Sequence, residues 1–418
     1  MFRIGAVAAL LLLIASACSA VQIIEDAADP APPATVLGTV EFPEIEGEVV
    51  VGLVADLSGD NSDLEGSFGE QLTSAIELRN ADGGVLGDPV GLLVRDTAND
   101  VDEAIDAVED LIRREVDVII VGCELETVLP AASIANEMGV LVVSPCVSTD
   151  EFSAVAGELA FSFAATDLQQ GIVMADHAID IEATSAITVA DIADPTAFDR
   201  CQAFTERFET SGGSISATIE YGADGLPLAD VGATVGEFVT PGVVVLCANP
   251  ADLRVITRQL RELGPVPIML GSEGDTLFWL QGQPDLSDTW FVSSSSLYGL
   301  RSQVETDYIR SLSPAPSGSA DLLVSASFLA FVGAAEATGS LDGADLAEHL
   351  SVVGASDYLI TSASFGDENA FTPQGLAIVA VANGFPSLLT VLDPAAPPAP
   401  APPPVPTTLV PPATTVPG

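Results

Sequence analysis

Residues 118–121 and 140–143 are two runs of four apolar residues, VIIV and VLVV, separated by a segment with helical spacing. Runs this short, followed by glycine or by serine and proline, read as buried strands. A strand, helix, strand unit of this kind belongs to a parallel sheet with a right-handed crossover. Each run ends close to a cysteine and small hydroxyl residues: Cys123 and Thr127 after the first, Ser144, Cys146, Ser148 and Thr149 after the second. Open α/β sheets hold ligands beyond the carboxyl ends of their strands, so residues 123–127 and 144–149 fall on the working face. A helix entered near Pro130 adds unpaired backbone N–H groups and the positive end of a dipole. Such a corner suits a small anion or carboxylate.

The same alternation runs through most of the chain. Strand patterns at 49–55, 90–95 and 116–121 alternate with helical patterns at 68–80 and 101–114, and the helix at 134–138 leads into the strand at 140–143. After a short connecting strand at 161–165 the scheme restarts. Helices are expected at 170–179, 198–210 and 252–263, and strands at 186–190, 214–221, 243–247 and 268–270. A strand at 290–294, a long helix at 320–337, a helix at 345–353 and a strand pair at 377–382 and 387–391 complete the body. The fold class is therefore α/β, with two Rossmann-like parallel-sheet lobes joined by a multi-strand hinge. With 418 residues there is length for both lobes. Lobe 1 is expected over 48–165, completed by about 292–353, and lobe 2 over 166–291, completed by about 356–393. A chain that passes between lobes more than once makes a hinge.

The ends differ from the body. Residues 1–17 read as an export signal, with Arg3, an apolar run at 4–14, then Ala15, Ser16 and Ala17 before Cys18. Small residues directly before a cysteine resemble the bacterial lipobox, which implies a lipid on Cys18. Ala15 stands where that motif usually has leucine, and the alternative is an ordinary signal peptide with an incidental cysteine. Residues 18–47 read as a flexible tether and 394–418 as a Pro-rich extended tail.

Twelve basic residues, all arginine, face 60 acidic ones, a net charge of −48. Nucleic acid and anionic lipid surfaces are excluded as partners by repulsion, and the acidity itself reads as a solvated surface. Cys123, Cys146, Cys201 and Cys247 form an even set in an exported chain, which points to disulfides. Three pairings are open; Cys123 and Cys146 end neighbouring strand runs while Cys201 and Cys247 lie together in the later half, which favours one bridge per lobe. No metal site is expected, because no two cysteines stand two residues apart and His177 and His349 are remote from them. No cofactor is expected and no enzyme activity, since the chain carries no P-loop, G-x-S-x-G, H-E-x-x-H or G-x-G-x-x-G motif.

Several stretches carry a family resemblance: VGLVADLSG at 51–59, Phe68-Gly69, residues 75–100, IIVGCELETVLPAASIANEMGVLVVSPCVST at 119–149, ATDLQQG at 165–171 and MLGSEGD at 269–275. Together they resemble type 1 periplasmic binding proteins, in particular the leucine/isoleucine/valine-binding proteins of branched-chain amino-acid ABC transporters. The resemblance spans residues 49–391. It implies a monomer that captures a small-molecule ligand, an amino acid or another small zwitterion, by lobe closure and delivers it to an ABC permease. The superfamily also takes amides, urea and other small polar solutes, and the same fold serves as a sensor that reports to a membrane receptor.

By the same resemblance the ligand's carboxylate would meet Thr127, Ser148 and the backbone of Cys146. Its ammonium would meet Asp167 and Glu273, with Phe68 as an aromatic wall and Phe198 as a looser candidate from lobe 2. Asp167 has an ordinary alternative, as the cap of a helix that begins near Gln169, and Ser148 and Thr149 as caps of a helix from Asp150 onward. The chain departs from the family pattern at Glu126, where small residues are usual. A carboxylate facing the ligand would repel the ligand's own, so a pocket-facing Glu126 predicts something other than an ordinary amino acid. Ala248 and Asn249 stand where a tyrosine is common, which leaves a roomier or more polar pocket.

Overall fold

The structure, a computed structural model, describes residues 44–398 except 150, 223–224, 239–240, 276–285, 287, 296, 299–301, 355–362, 366–368, 370 and 383–384. The export signal, Cys18 and nearly all of the tether and Pro-rich tail lie outside the described residues.

Five parallel strands build the first sheet: β1 (Val49–Ala55), β2 (Val90–Asp96), β3 (Val118–Val121), β4 (Leu141–Ser144) and β5 (Ala160–Ser162), in the order β2-β1-β3-β4-β5. All four residues of β3 are out of solvent, as expected for a central strand covered on both faces. Burying each such side chain contributes roughly 1.5–3 kcal/mol. The helices between the strands are α1 (Ser62–Glu65), α2 (Phe68–Ala81), α3 (Val101–Arg113), α4 (Leu125–Glu137) and α5 (Glu151–Ala156). In α3, Asp100 caps the backbone N–H groups of Asp102 and Glu103, and Ala104, Ala107, Val108 and Leu111 form the buried stripe.

The second lobe repeats the plan. After α6 (Asp167–Asp180) come β6 (Ser185–Asp191), α7 (Pro195–Thr210), β7 (Ser214–Tyr221), α8 (Val231–Val235), β8 (Val243–Cys247), α9 (Pro250–Leu263), β9 (Ile268–Leu270) and β10 (Thr289–Ser293). The chain then leaves this lobe. After α10 (Gln303–Ser311), the long α11 (Ser319–Thr338) packs on α2, β3 and β4 of the first lobe, and α12 (Gly343–Val353) packs on α11 and β4. A small pair, β11 (Ala363–Phe365) with β12 (Phe371–Pro373), precedes β13 (Leu376–Ala382) and β14 (Phe385–Leu392). These two strands add antiparallel to the second sheet, whose order is β14-β13-β10-β9-β8-β6-β7. The chain thus crosses between the lobes three times. Although α11 is apolar and long enough to cross a membrane, it serves here as a core helix, with 72% of that span buried.

Two local readings are corrected, and one element appears that the sequence pattern does not predict. The helix placed near Pro130 begins at Leu125, because the Glu124 carbonyl already accepts from the N–H groups of Thr127 and Val128. Pro130 lies inside α4, where its missing N–H removes one bond of the ladder without ending the helix. The connection at 60–67 contains α1, a single turn too short and too polar to show apolar periodicity. Finally, Thr166, not Asp167, caps α6, in a reciprocal capping box with Gln169.

Candidate ligand cleft

Each parallel array has one place where the strand order reverses: between β1 and β3 in the first lobe, and between β6 and β8 in the second. Ligands of doubly wound sheets bind at this switch point. The loops that leave those four strands line a shared space between the lobes. An inner cavity of ≈ 120 Å³ includes Asn61, Cys123, Glu124, Cys146, Ser148, Asp194, Thr196, Asn249, Ser272 and Glu273 in its lining. An outer vestibule of ≈ 650 Å³ adds Asn99, Glu126, Thr149, Asp191 and Asp252.

Hydrogen bonds hold the lobe 1 wall in place. Asp56 accepts from the N–H groups of Gly59 (2.5 Å) and Asn61 (2.7 Å), which shapes the turn that presents Asn61. The Glu65 carboxylate accepts from the N–H of Asp56 and of Cys123, both at 2.8 Å, tying the loop after β1 to the loop after β3. A Cβ at position 122 would run into that carboxylate and push the Glu65 anchor aside. Burial pushes Glu65 up to about 8, against the lowering effect of those two N–H groups. A disulfide joins Cys123 to Cys146 and braces the carboxyl ends of β3 and β4. Behind lobe 2, Cys201 of α7 is bridged to Cys247 at the end of β8.

The expected site residues divide into three groups. Cys146, Ser148 and Glu273 lie in the cavity lining. Asp167 sits beneath it, fully buried, where Ser148 donates its hydroxyl to the carboxylate at 2.6 Å. Thr127, Phe68 and Phe198 are not brought to the cavity. Thr127 is turned into the first turn of α4 and donates to Asn99 at 2.9 Å. Phe68 is wholly buried at the start of α2, because the turn of α1 and the Glu65 anchor direct the following helix into the core. Phe198 stands on α7 and is 38% exposed. Thr149 receives the N–H of Glu151 at 3.2 Å and so acts as a helix cap.

Arg200 changes the electrostatics of the site. It lies on the apolar face of α7 with Ala197, Cys201, Phe204 and Phe208 and is 1% exposed. Its guanidinium pairs with Asp167 at 2.9 Å and also with Glu273. Gly271 makes room for it, since a Cβ at that position would overlap the guanidinium. Burial, offset by Arg200 and reinforced by the charge of Glu273, holds Asp167 up to about 7. Both acids expected to meet an ammonium are therefore already satisfied by an internal cation.

Arg200, Glu124, Asp194 and Asn61 escaped the sequence reading, and Asn249 entered it only as leaving a roomier or more polar pocket. Two of them left a signal there: Asp194-Pro195 and Asn249-Pro250 each follow a strand and open a helix, the pattern of an N-cap with proline in the first turn. Arg200 was visible as one charged residue on an otherwise apolar helical stripe.

Two doubly wound lobes, connected by repeated crossings and facing each other across their switch points, define the class of clamp-like binding proteins that hold a ligand between domains. The chain belongs to the periplasmic binding protein family, whose sequence profile matches residues 48–385. It is 25% identical over 255 residues to the Leu/Ile/Val-binding protein homolog 3 of Brucella melitensis, covering 59% of this chain and 67% of that protein. Its fold is similar to that of the leucine binding protein LivK from Thermotoga maritima, with a TM-score of 0.70, 20% identity, and coverage of 83% of this chain and 99% of that one. It is also similar to the branched-chain amino acid transporter substrate binding protein LivJ from Streptococcus pneumoniae, solved with isoleucine: TM-score 0.71, 17% identity, coverage of 82% and 99%.

Proposed function

We propose that this protein is the extracytoplasmic solute-binding component of an ABC importer. It captures a small polar solute between its lobes and delivers it to a membrane permease, with the body held near the membrane through Cys18. The observation that carries this reading is the composition of the inner cavity. Cys123, Glu124, Cys146 and Ser148 come from lobe 1, while Asp194, Thr196, Asn249, Ser272 and Glu273 come from lobe 2. A ligand that touches both walls gains contacts only when the lobes approach, so binding shifts the population toward the closed form. The Brucella relative and the Streptococcus neighbour, by their names, support amino acids as the first solutes to test.

The test is a thermal-unfolding screen of the purified protein against amino acids, amides, urea and polyamines, followed by calorimetry. A ligand present at 100 times its Kd stabilises the native state by about 2.7 kcal/mol. If no small solute raises the midpoint, the binding-protein reading fails.

A further inference from the structure

We propose that the solute is an organic cation without a carboxylate, an alkylamine or diamine, held between Glu124 of lobe 1 and Asp194 of lobe 2. This inference rests on the solute-binding reading and names the chemistry of the same cleft. The location of the site does not depend on these acids; it follows from the two switch points and the cavity between them.

Three observations carry the assignment. The helix ends at which this fold would receive an anion carry the chain's own carboxylates, bonded to the helix at Asp194 and unbonded to it at Glu124. Glu124 stands at the N-cap position of α4, and Asp194 caps α7 by accepting from the N–H groups of Thr196 and Ala197 at 3.0 and 3.2 Å. An incoming carboxylate would meet these charges at both helix ends. The hydroxyls that would greet a carboxylate are also committed as donors elsewhere: Ser148 to Asp167 and Thr127 to Asn99. With its proton turned away, the Ser148 oxygen offers lone pairs to the cleft, the arrangement an ammonium needs. Lastly, among the described residues neither cavity is lined by an arginine or a histidine, and Arg200 is spent on Asp167 and Glu273.

Among the described residues Glu124 and Asp194 form no ion pair, and they line the same cavity from opposite lobes. Desolvation at the cavity wall, then the negative charges of Asp194 and Glu126, hold Glu124 above the usual carboxylate range, against a hydrogen bond from Asn61, while the residue as a whole stays exposed. Two like charges on facing lobes resist closure, and a cation between them turns that repulsion into attraction. Ligand charge and lobe closure are thereby coupled. The carboxylate that excludes an ordinary amino acid is Glu124; Glu126 lines only the outer vestibule.

The decisive experiment is calorimetry on the full chain with leucine, 3-methylbutylamine, 4-methylpentanoate and 1,4-diaminobutane. These separate the ammonium from the carboxylate on the same carbon skeleton. The expected result is binding of one or both amines, none of 4-methylpentanoate, and leucine at least tenfold weaker than 3-methylbutylamine. Glu124→Gln and Asp194→Asn, the latter of which keeps a capping side chain, should each weaken the amine at least tenfold. Glu348→Gln, in a separate groove beside Ser153 and Asn369, should not, which separates the cleft from general attraction to an acidic protein. Leucine binding tighter than the amines overturns the cation assignment and leaves the binding-protein reading standing. An amine affinity unchanged in both cleft variants also overturns it. Failure of these probes and of the wider solute panel removes both readings.

Discussion

The Arg200 guanidinium lies 2.9 Å from the Asp167 carboxylate, with their side chains 1% and 5% exposed. Glu273 completes a triad of two acids around one base. The pair fastens α7 to the start of α6 directly beneath the cleft. A buried pair of this kind adds little net stability over an apolar isostere, but losing one partner leaves a charge stranded out of water.

Arg200→Met should therefore destabilise the protein by about 3–5 kcal/mol at about pH 8, above the value of about 7 at which Asp167 ionises in the fold, because the carboxylate is left buried without its cation. Denaturant unfolding measures this. The loss should shrink near pH 5, where Asp167 takes up a proton, and an undiminished loss at that pH would place the damage in packing instead of charge.

Stability should fall as pH rises from about 4.5 to 8. Glu65 is held up to about 8 and Asp167 up to about 7 in the fold, both above their ordinary values of 4.5 and 3.8. For a raised carboxyl the folded state binds the proton more tightly than the unfolded one. Its contribution is thus complete below the unfolded value and is lost as pH climbs through the folded one. Thermal midpoints at pH 5 and pH 8 check the sign, and a higher midpoint at pH 8 would show that Glu65 and Asp167 stay ionised.

Removing either disulfide should lower stability by amounts that follow the loop each one closes. Sequence separations of 23 for Cys123–Cys146 and 46 for Cys201–Cys247 give about 3 and about 4 kcal/mol in the chain-entropy treatment. Paired serine variants in urea titrations measure both. Only the first pair borders the cavity, so ligand affinity should drop in Cys123→Ser with Cys146→Ser and hold in the other double variant.

Asp63 of lobe 1 and Arg254 of lobe 2 make an ion pair across the lobes at 2.8 Å, partly exposed on both sides. Screened by water, a pair like this is worth under about 1 kcal/mol. Asp63→Asn should accordingly weaken ligand binding less than about fivefold, with the difference vanishing in high salt. A larger, salt-independent loss would place Asp63 in contact with the ligand.

The alternation of apolar runs and amphipathic segments, which any reader of the chain can see, was enough to define two parallel-sheet lobes. β7, β8 and β9 coincide residue for residue with the runs at 214–221, 243–247 and 268–270. Strand and helix periodicity records which face of a segment is buried, and that is a local property. The cysteines at neighbouring strand ends were legible for the same reason. What periodicity does not record is which charge meets which across the fold. Arg200 and Glu273 stand 73 residues apart, and only the packing of α7 against the loop after β9 brings them together. Likewise the start of α4 at Leu125, set by hydrogen bonds to the Glu124 carbonyl, places Glu124 in the inner cavity and Thr127 away from it. The sequence by itself determined the two lobes and the strand ends between which a ligand is held. The tertiary structure alone decided the charge of that space, because the net field of a cleft depends on which of its acids are already paired.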